Sequence, residues 1–143
     1  ADFGLCRRKL AAGPLTLEVG SLWYRAPEIM LGIGEYNSAV DMWAIGCLLY
    51  ELYEVDLIQE LLLDWLPFKI MEWTGSPTES TWPELFKIGS RFSIKFPKFS
   101  RPSKRVFKRL PARAQDLLES LLQLNFNERP TAREVLRHPY FTE

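Results

Sequence analysis

Cysteine is nearly absent from this chain: Cys6 and Cys47 are the only two in 143 residues, and they form no Cys-x-x-Cys pair. So sparse a set builds neither a disulfide scaffold nor a structural zinc site, and it fits a reducing compartment. Histidine is rarer still, with His138 alone. Pro139 follows it within a run of packing residues, so no catalytic role is expected of it. Long apolar runs are missing too. The longest, Met42 to Tyr50, covers nine residues between Asp41 and Glu51, whereas a bilayer takes about 20. Neither a membrane helix nor a membrane partner is expected. The chain starts at Ala1 without Met and without a signal-like segment, which predicts a piece of a longer, intracellular protein of the cytoplasm or nucleus.

Net charge is also lacking, with 18 basic and 18 acidic side chains. A 47% apolar and 25% charged composition excludes a wholly disordered chain and a collagen. The neutrality conceals a polarity along the chain. Glu28 to Glu84 holds eleven acids against Lys69 alone, and Leu85 to Gln115 holds ten bases and no acid. The basic stretch includes Lys98, Arg101, Lys104, Arg105, Lys108, Arg109 and Arg113. Such a run can recruit nucleic acid or an acidic partner. Its aromatics do not alternate with the charges as a single-strand binder requires. A solvated loop paired with the acidic segment is the preferred reading, and no nucleic acid is expected as a partner.

The pattern is mainly helical. Residues 1–34 show no sustained period and read as a long ordered loop. A helix is expected from Ser38 to about Tyr53, with Ser38 and Asp41 in Ser-x-x-Asp capping spacing. Val40 to Leu52 is apolar on almost every face, so this helix belongs inside a core. Residues 57–72 predict a second helical stretch interrupted at Pro67, as a bend or as two short helices. From Gly75 to Pro111 the chain is rich in Pro, Ser and Lys and reads as a loop with short turns. A third helix is expected over about Ala112 to Leu124, where leucines form one stripe. Thr131 and Glu134 mark a capping box for a last short helix, stopped by Pro139. No repeat is evident, and no room remains for a sheet of any size.

Asp2-Phe3-Gly4 is followed 22 residues later by Ala26-Pro27-Glu28. Each tripeptide is weak by itself. Together, at this separation, they match the two ends of a protein-kinase activation segment. Asp41-x-Trp43-Ala44-Ile45-Gly46-Cys47 and Asn127-Glu128-Arg129-Pro130-Thr131 supply two further markers in order. Over its whole length the sequence resembles the C-terminal lobe of a eukaryotic protein kinase. Leu22-Trp23-Tyr24-Arg25, Thr16-Leu17-Glu18-Val19 and Thr74-Gly75-Ser76-Pro77-Thr78 are similar to the cyclin-dependent, proline-directed branch. Between Tyr53 and Trp65 the chain departs from that branch, lacking its Gly-containing loop and Pro-Leu-Phe stretch. The resemblance implies a mainly α, kinase-like C-terminal lobe, truncated, without an N-lobe sheet. Residues 2–28 would be the activation segment and 35–141 the helical remainder.

The same resemblance assigns roles. Asp2 would chelate the Mg²⁺ that bridges the phosphates of ATP, a task for a hard oxygen ligand. Phe3 would pack inward, and Gly4 would let the backbone flip. Thr16 stands where the family carries its activating phosphothreonine, and Arg7 matches one of the arginines that receive the phosphate. Ser21 replaces a hydroxyl that meets the catalytic loop. Gly20 would hold an unusual backbone conformation with its carbonyl tied to Arg25. A substrate amide one residue after the phosphoacceptor then finds no acceptor, and proline, which has no N–H, is penalised least. Glu28 and Arg129 would form a buried ion pair. Asp41 would accept N–H groups from the catalytic loop, or else cap its own helix.

The 143 residues contain no Gly-x-Gly-x-x-Gly loop, no Val-Ala-Ile-Lys lysine and no His-Arg-Asp catalytic loop. The family's general base and second metal ligand would therefore lie N-terminal to Ala1. Two readings stand. One is part of an active Ser/Thr kinase acting on Ser or Thr before Pro with ATP and Mg²⁺, with a cyclin-type activator as a candidate partner. The other is a non-catalytic, pseudokinase-like or truncated binding module. In both, the isolated chain is expected to be inactive.

Overall fold

A computed structural model of the chain describes residues 3–6, 21–33, 36–53, 71, 74–91, 95–100 and 110–142. Within them lie a 3₁₀ turn η1 (Leu22–Tyr24), α1 (Pro27–Met30), α2 (Ala39–Glu51), α3 (Pro83–Arg91), α4 (Ala112–Leu121), a second 3₁₀ turn η2 (Phe126–Glu128) and α5 (Ala132–Val135). The fold is mainly α, and no strand occurs among the described residues.

Helix α2 is the centre of the core. It buries Ala39, Met42, Trp43, Gly46, Leu49 and Tyr50. These pack on Ala114, Leu117, Leu118 and Leu121 of α4, with Leu122 and Leu124 beyond its end. At Gly46 the two helices meet closely. A Cβ there would lie 2.8 Å from Leu122 Cδ2 and 3.1 Å from Leu121 Cβ. That approach explains a glycine in the middle of a helix, where it otherwise costs about 1 kcal/mol relative to alanine.

The expected cap of α2 is corrected. Ser38 makes no side-chain cap bond and sits in the helical region of backbone space. One residue earlier, Asn37 Oδ1 accepts the Ala39 N–H at 2.8 Å. The helix runs Ala39–Glu51, shorter at both ends than read from sequence. Burial also divides its faces differently from the all-round core helix expected. Ile45, Leu48 and Leu52 are 42%, 50% and 80% exposed, and they form one stripe at spacings of three and four.

The segment from Gly75 to Pro111 is not wholly loop. Pro83 opens α3. Proline at the first helical position lacks only an N–H that would go unbonded there, so it starts this helix instead of marking a loop. Ahead of it, Thr78 and Thr81 bond each other's backbone N–H and hydroxyl groups. Trp82 is fully buried, edge-on to Phe126 at 6.4 Å. Likewise η1 and α1 interrupt the loop read over residues 1–34. Of the stretch 57–72 only Met71 is described, helical and buried. The rest of that stretch and the basic residues 101–109 lie outside the described residues.

The C-terminal capping box forms as read. Glu134 N–H donates to Thr131 Oγ1, while Glu134 Oε2 accepts the Thr131 N–H and hydroxyl, both at 2.7 Å. The Thr131 N–H and then its hydroxyl hold the Glu134 carboxyl below the usual carboxylate range. A depressed folded-state pKa gives stability that is present above the ordinary carboxylate pKa and lost as pH falls through the folded value. The protection of the Thr131 amide from hydrogen exchange, taken relative to an unstructured chain at the same pH, should therefore fall on acidification below the ordinary glutamate range. In Glu134→Gln, which keeps an acceptor but does not titrate, that pH dependence of protection should vanish. His138 joins this end to α4: its Nδ1 accepts the Tyr140 N–H at 3.1 Å, so Nε2 carries the proton toward Asp116 Oδ2 at 3.1 Å. The ring has a packing role here.

Candidate functional site

Pro27 at the first position preorganises α1, which places Glu28 in its first turn. The turn closes in a Schellman arrangement. Gly32, at φ 69°, donates to the Ile29 carbonyl at 3.1 Å, and Ile33 N–H to the Glu28 carbonyl at 2.8 Å. Positive φ without a Cβ penalty is what glycine provides at this position. The backbone of Glu28 is thereby fixed.

Its carboxylate, fully buried, meets Arg129 as a fork on a fork. Arg129 Nη1 lies 2.6 Å from Glu28 Oε1, and Nη2 lies 2.7 Å from Oε2. Nη1 also donates to the Ala39 carbonyl at 3.1 Å, Nη2 to that of Leu124 at 3.2 Å, and Nε to that of Gln123 at 2.7 Å. All five guanidinium N–H groups are used. The Trp43 ring lies 5.0 Å below the guanidinium carbon, within cation–π range. One side chain thus ties α1, the start of α2 and the chain after α4 together. The structure brings together two residues 101 positions apart in sequence.

The other sequence-designated residues divide in two. Asp2, Arg7, Thr16 and Gly20 lie outside the described residues. Ser21 is exposed and precedes η1, its carbonyl accepting the Tyr24 N–H at 3.2 Å. Arg25 is half-buried and closes η1, its N–H bonding the Leu22 carbonyl at 3.2 Å. Asp41 is exposed in the first turn of α2, where a carboxylate complements the helix dipole. Gly4 sits in a turn whose ends are joined by Cys6 N–H to Phe3 O at 3.0 Å. Phe3 is 75% exposed among the described residues.

A connection that sequence reading missed is the hydroxyl of Tyr24, which donates to both carboxylate oxygens of Glu51, at 3.0 and 3.2 Å. The bond to Glu51 pushes the phenol above its ordinary pKa, so it remains a donor at neutral pH. Nothing in the local pattern around either residue points to the other, 27 positions away. Burial pushes the thiol of Cys47, half-buried on α2, up to about 12, which disfavours the thiolate.

Among the described residues no group of three or more His, Cys, Asp or Glu is placed to hold a metal ion. No helix among them is long and apolar enough to cross a membrane. A single carboxylate such as Asp2 provides one of the roughly six oxygens that Mg²⁺ requires.

Comparison with known proteins places this geometry. Residues 1–141 match the protein kinase domain family. The chain is 36% identical to serine/threonine-protein kinase ICK of Mus musculus over 152 aligned residues, covering 99% of the chain and 23% of that protein. It is equally similar, with the same coverage, to serine/threonine-protein kinase MAK of Homo sapiens. Among solved structures it superposes with a TM-score of 0.82 and 33% identity on a chain of the yeast RNA Pol II CTD kinase CTDK-1 complex, covering all of this chain and 49% of that one. The chain thus spans about a quarter of the curated relatives and about half of the solved chain.

Proposed function

The chain belongs to the protein kinase family, and from that premise we propose that it is the activation segment and substrate-side helical part of a serine/threonine kinase directed to Ser or Thr before Pro. The observation that carries the reading is the buried Glu28–Arg129 fork. It anchors the end of the segment that starts at Asp2-Phe3-Gly4, and the turn between Ser21 and Arg25 stands immediately before the anchor. In this reading Asp2 contributes one ligand to the Mg²⁺ of the nucleotide, and the ATP supplies the phosphoryl group. Thr16, once phosphorylated, adds nearly two negative charges that Arg7 helps to receive. Arg25 occupies the Gly20 carbonyl, which disfavours every following residue that carries an N–H. A substrate protein and a cyclin-type activator are the partners.

The remaining parts of the site belong to segments not among these 143 residues. Phosphoryl transfer relies on positioning and charge stabilisation by those parts. The isolated chain is accordingly expected neither to bind ATP–Mg²⁺ measurably nor to phosphorylate a peptide. Saturable micromolar binding by calorimetry that survives Asp2→Ala would contradict this. The full-length kinase, with its activator, should prefer Ser-Pro over Ser-Ala peptides by about tenfold or more, the worth of one unmet amide at about 1.4 kcal/mol. Arg25→Ala should narrow the preference by freeing the carbonyl. A peptide library without a proline preference would overturn the reading.

A further inference from the structure

Of the ten prolines in the chain, only one follows a serine or threonine: Pro77, after Ser76. The structure gives that serine a task. Its hydroxyl donates to the Pro97 carbonyl, and its Oγ accepts the Phe99 N–H at 2.8 Å. Its own N–H donates to the Phe99 carbonyl at 2.9 Å. Three bonds from one residue thus hold residues 95–100, an irregular segment without helix or strand. That segment carries Phe96 and Phe99, which pack on the core cluster. Phe96 also meets Phe86 of α3, with ring centroids 6.0 Å apart. Ser76 therefore pins these packing residues to the turn ahead of α3.

We propose that Ser76 is a phosphorylation site for a proline-directed protein kinase, and that its phosphate unpins residues 95–100. Gly75 and Pro77 are buried and Ser76 is half-buried, so the closed segment is a poor substrate. Irregular segments open locally at low free energy, and the site is modified in that open state. Ser76 Oγ bonds the γ-phosphorus of ATP as the bond to the departing ADP oxygen breaks. The hydroxyl proton passes to the modifying kinase. The product has lost its donor to Pro97 and carries nearly two negative charges. Closing the segment would bring that charge against the Pro97 carbonyl oxygen in a partly desolvated site, so the phosphate favours the open state. The inference is independent of the specificity proposed for this chain, because the modifying enzyme is a second kinase.

The test treats the full-length protein with a second, purified proline-directed kinase and ATP–Mg²⁺, beside a free peptide of residues 72–82. Mass spectrometry should find phosphate on Ser76 in both. Incorporation should be about tenfold or more slower in the folded protein, where opening limits it. Limited trypsin then reads the state of the segment through cleavage after the exposed Lys95 and Lys98. Ser76→Ala loses both hydroxyl bonds but keeps the N–H bond to Phe99, and it should speed those cuts by about tenfold. The phosphorylated protein should be cut about fivefold faster again, since the charge also breaks the bond that alanine keeps. No phosphate on Ser76, in the peptide or in the protein, overturns the inference. So does a phosphorylated protein cut no faster than Ser76→Ala, the result expected if Lys98 captured the phosphate and held the segment closed.

Discussion

Arg129→Ala in the full-length kinase should lower its melting temperature by about 10 °C, the product of the stranded charge's cost and the thermal sensitivity of a domain. The reason is the state of the partner left behind. Glu28 is wholly buried and has both carboxylate oxygens on Arg129. Removing one member of a buried, fully bonded pair strands the other charge and costs about 3–5 kcal/mol. A domain of roughly 150–250 residues shifts by roughly 2–4 °C for each kcal/mol. Three backbone carbonyls, of Ala39, Gln123 and Leu124, lose their donors in addition. Arg129→Lys should recover little. An ammonium brings three donors on one atom and cannot reproduce a planar fork with five. The variants Glu28→Ala and Arg129→Ala should combine far below additively, because each abolishes the same interaction. A loss of only about 1 kcal/mol, the size seen for exposed pairs, would show that the site is open to water.

The isolated 143-residue chain should bind hydrophobic dyes or aggregate while keeping its helix content. The exposed stripe of α2, Ile45, Leu48 and Leu52, provides the reason. Each large side chain left in water forgoes roughly 1.5–3 kcal/mol, and a whole domain is stable by only about 5–15 kcal/mol. Trp43 and Leu49 of the same helix are in the core. The sharper expectation concerns the stripe alone. Replacing Ile45, Leu48 and Leu52 together by Gln should reduce dye binding and aggregation of the isolated chain. The same triple change should destabilise the full-length kinase, where additional protein is expected against that face. Fluorescence of the dye, light scattering and thermal melts read both directions. A monomer that unfolds cooperatively and reversibly, without dye binding, would overturn the expectation.

Much of the family assignment was legible because it resides in short strings of fixed spacing. Asp2-Phe3-Gly4, Ala26-Pro27-Glu28 and the arginine of Asn127-Glu128-Arg129 need no three-dimensional knowledge to be recognised, and the capping box Thr131–Glu134 is a contact between residues three apart. The misread elements share a cause. Pro83 can sit in a loop or start a helix, and only the packing of Leu85 and Trp82 into the core decides between them. Asn37 outcompetes Ser38 as the cap of α2 because Ser38 has taken a helical backbone conformation from which its side chain makes no cap bond.

By itself, then, the sequence determined the kinase family, the mainly helical class and the pairing partners of the buried charge, since these derive from motif identity and local periodicity. Only the tertiary structure decided which face of α2 is core, why Gly46 must be small, and that Tyr24 reaches Glu51. Those facts depend on which surfaces of distant segments approach one another, and a residue's own neighbours in sequence carry no record of that distance.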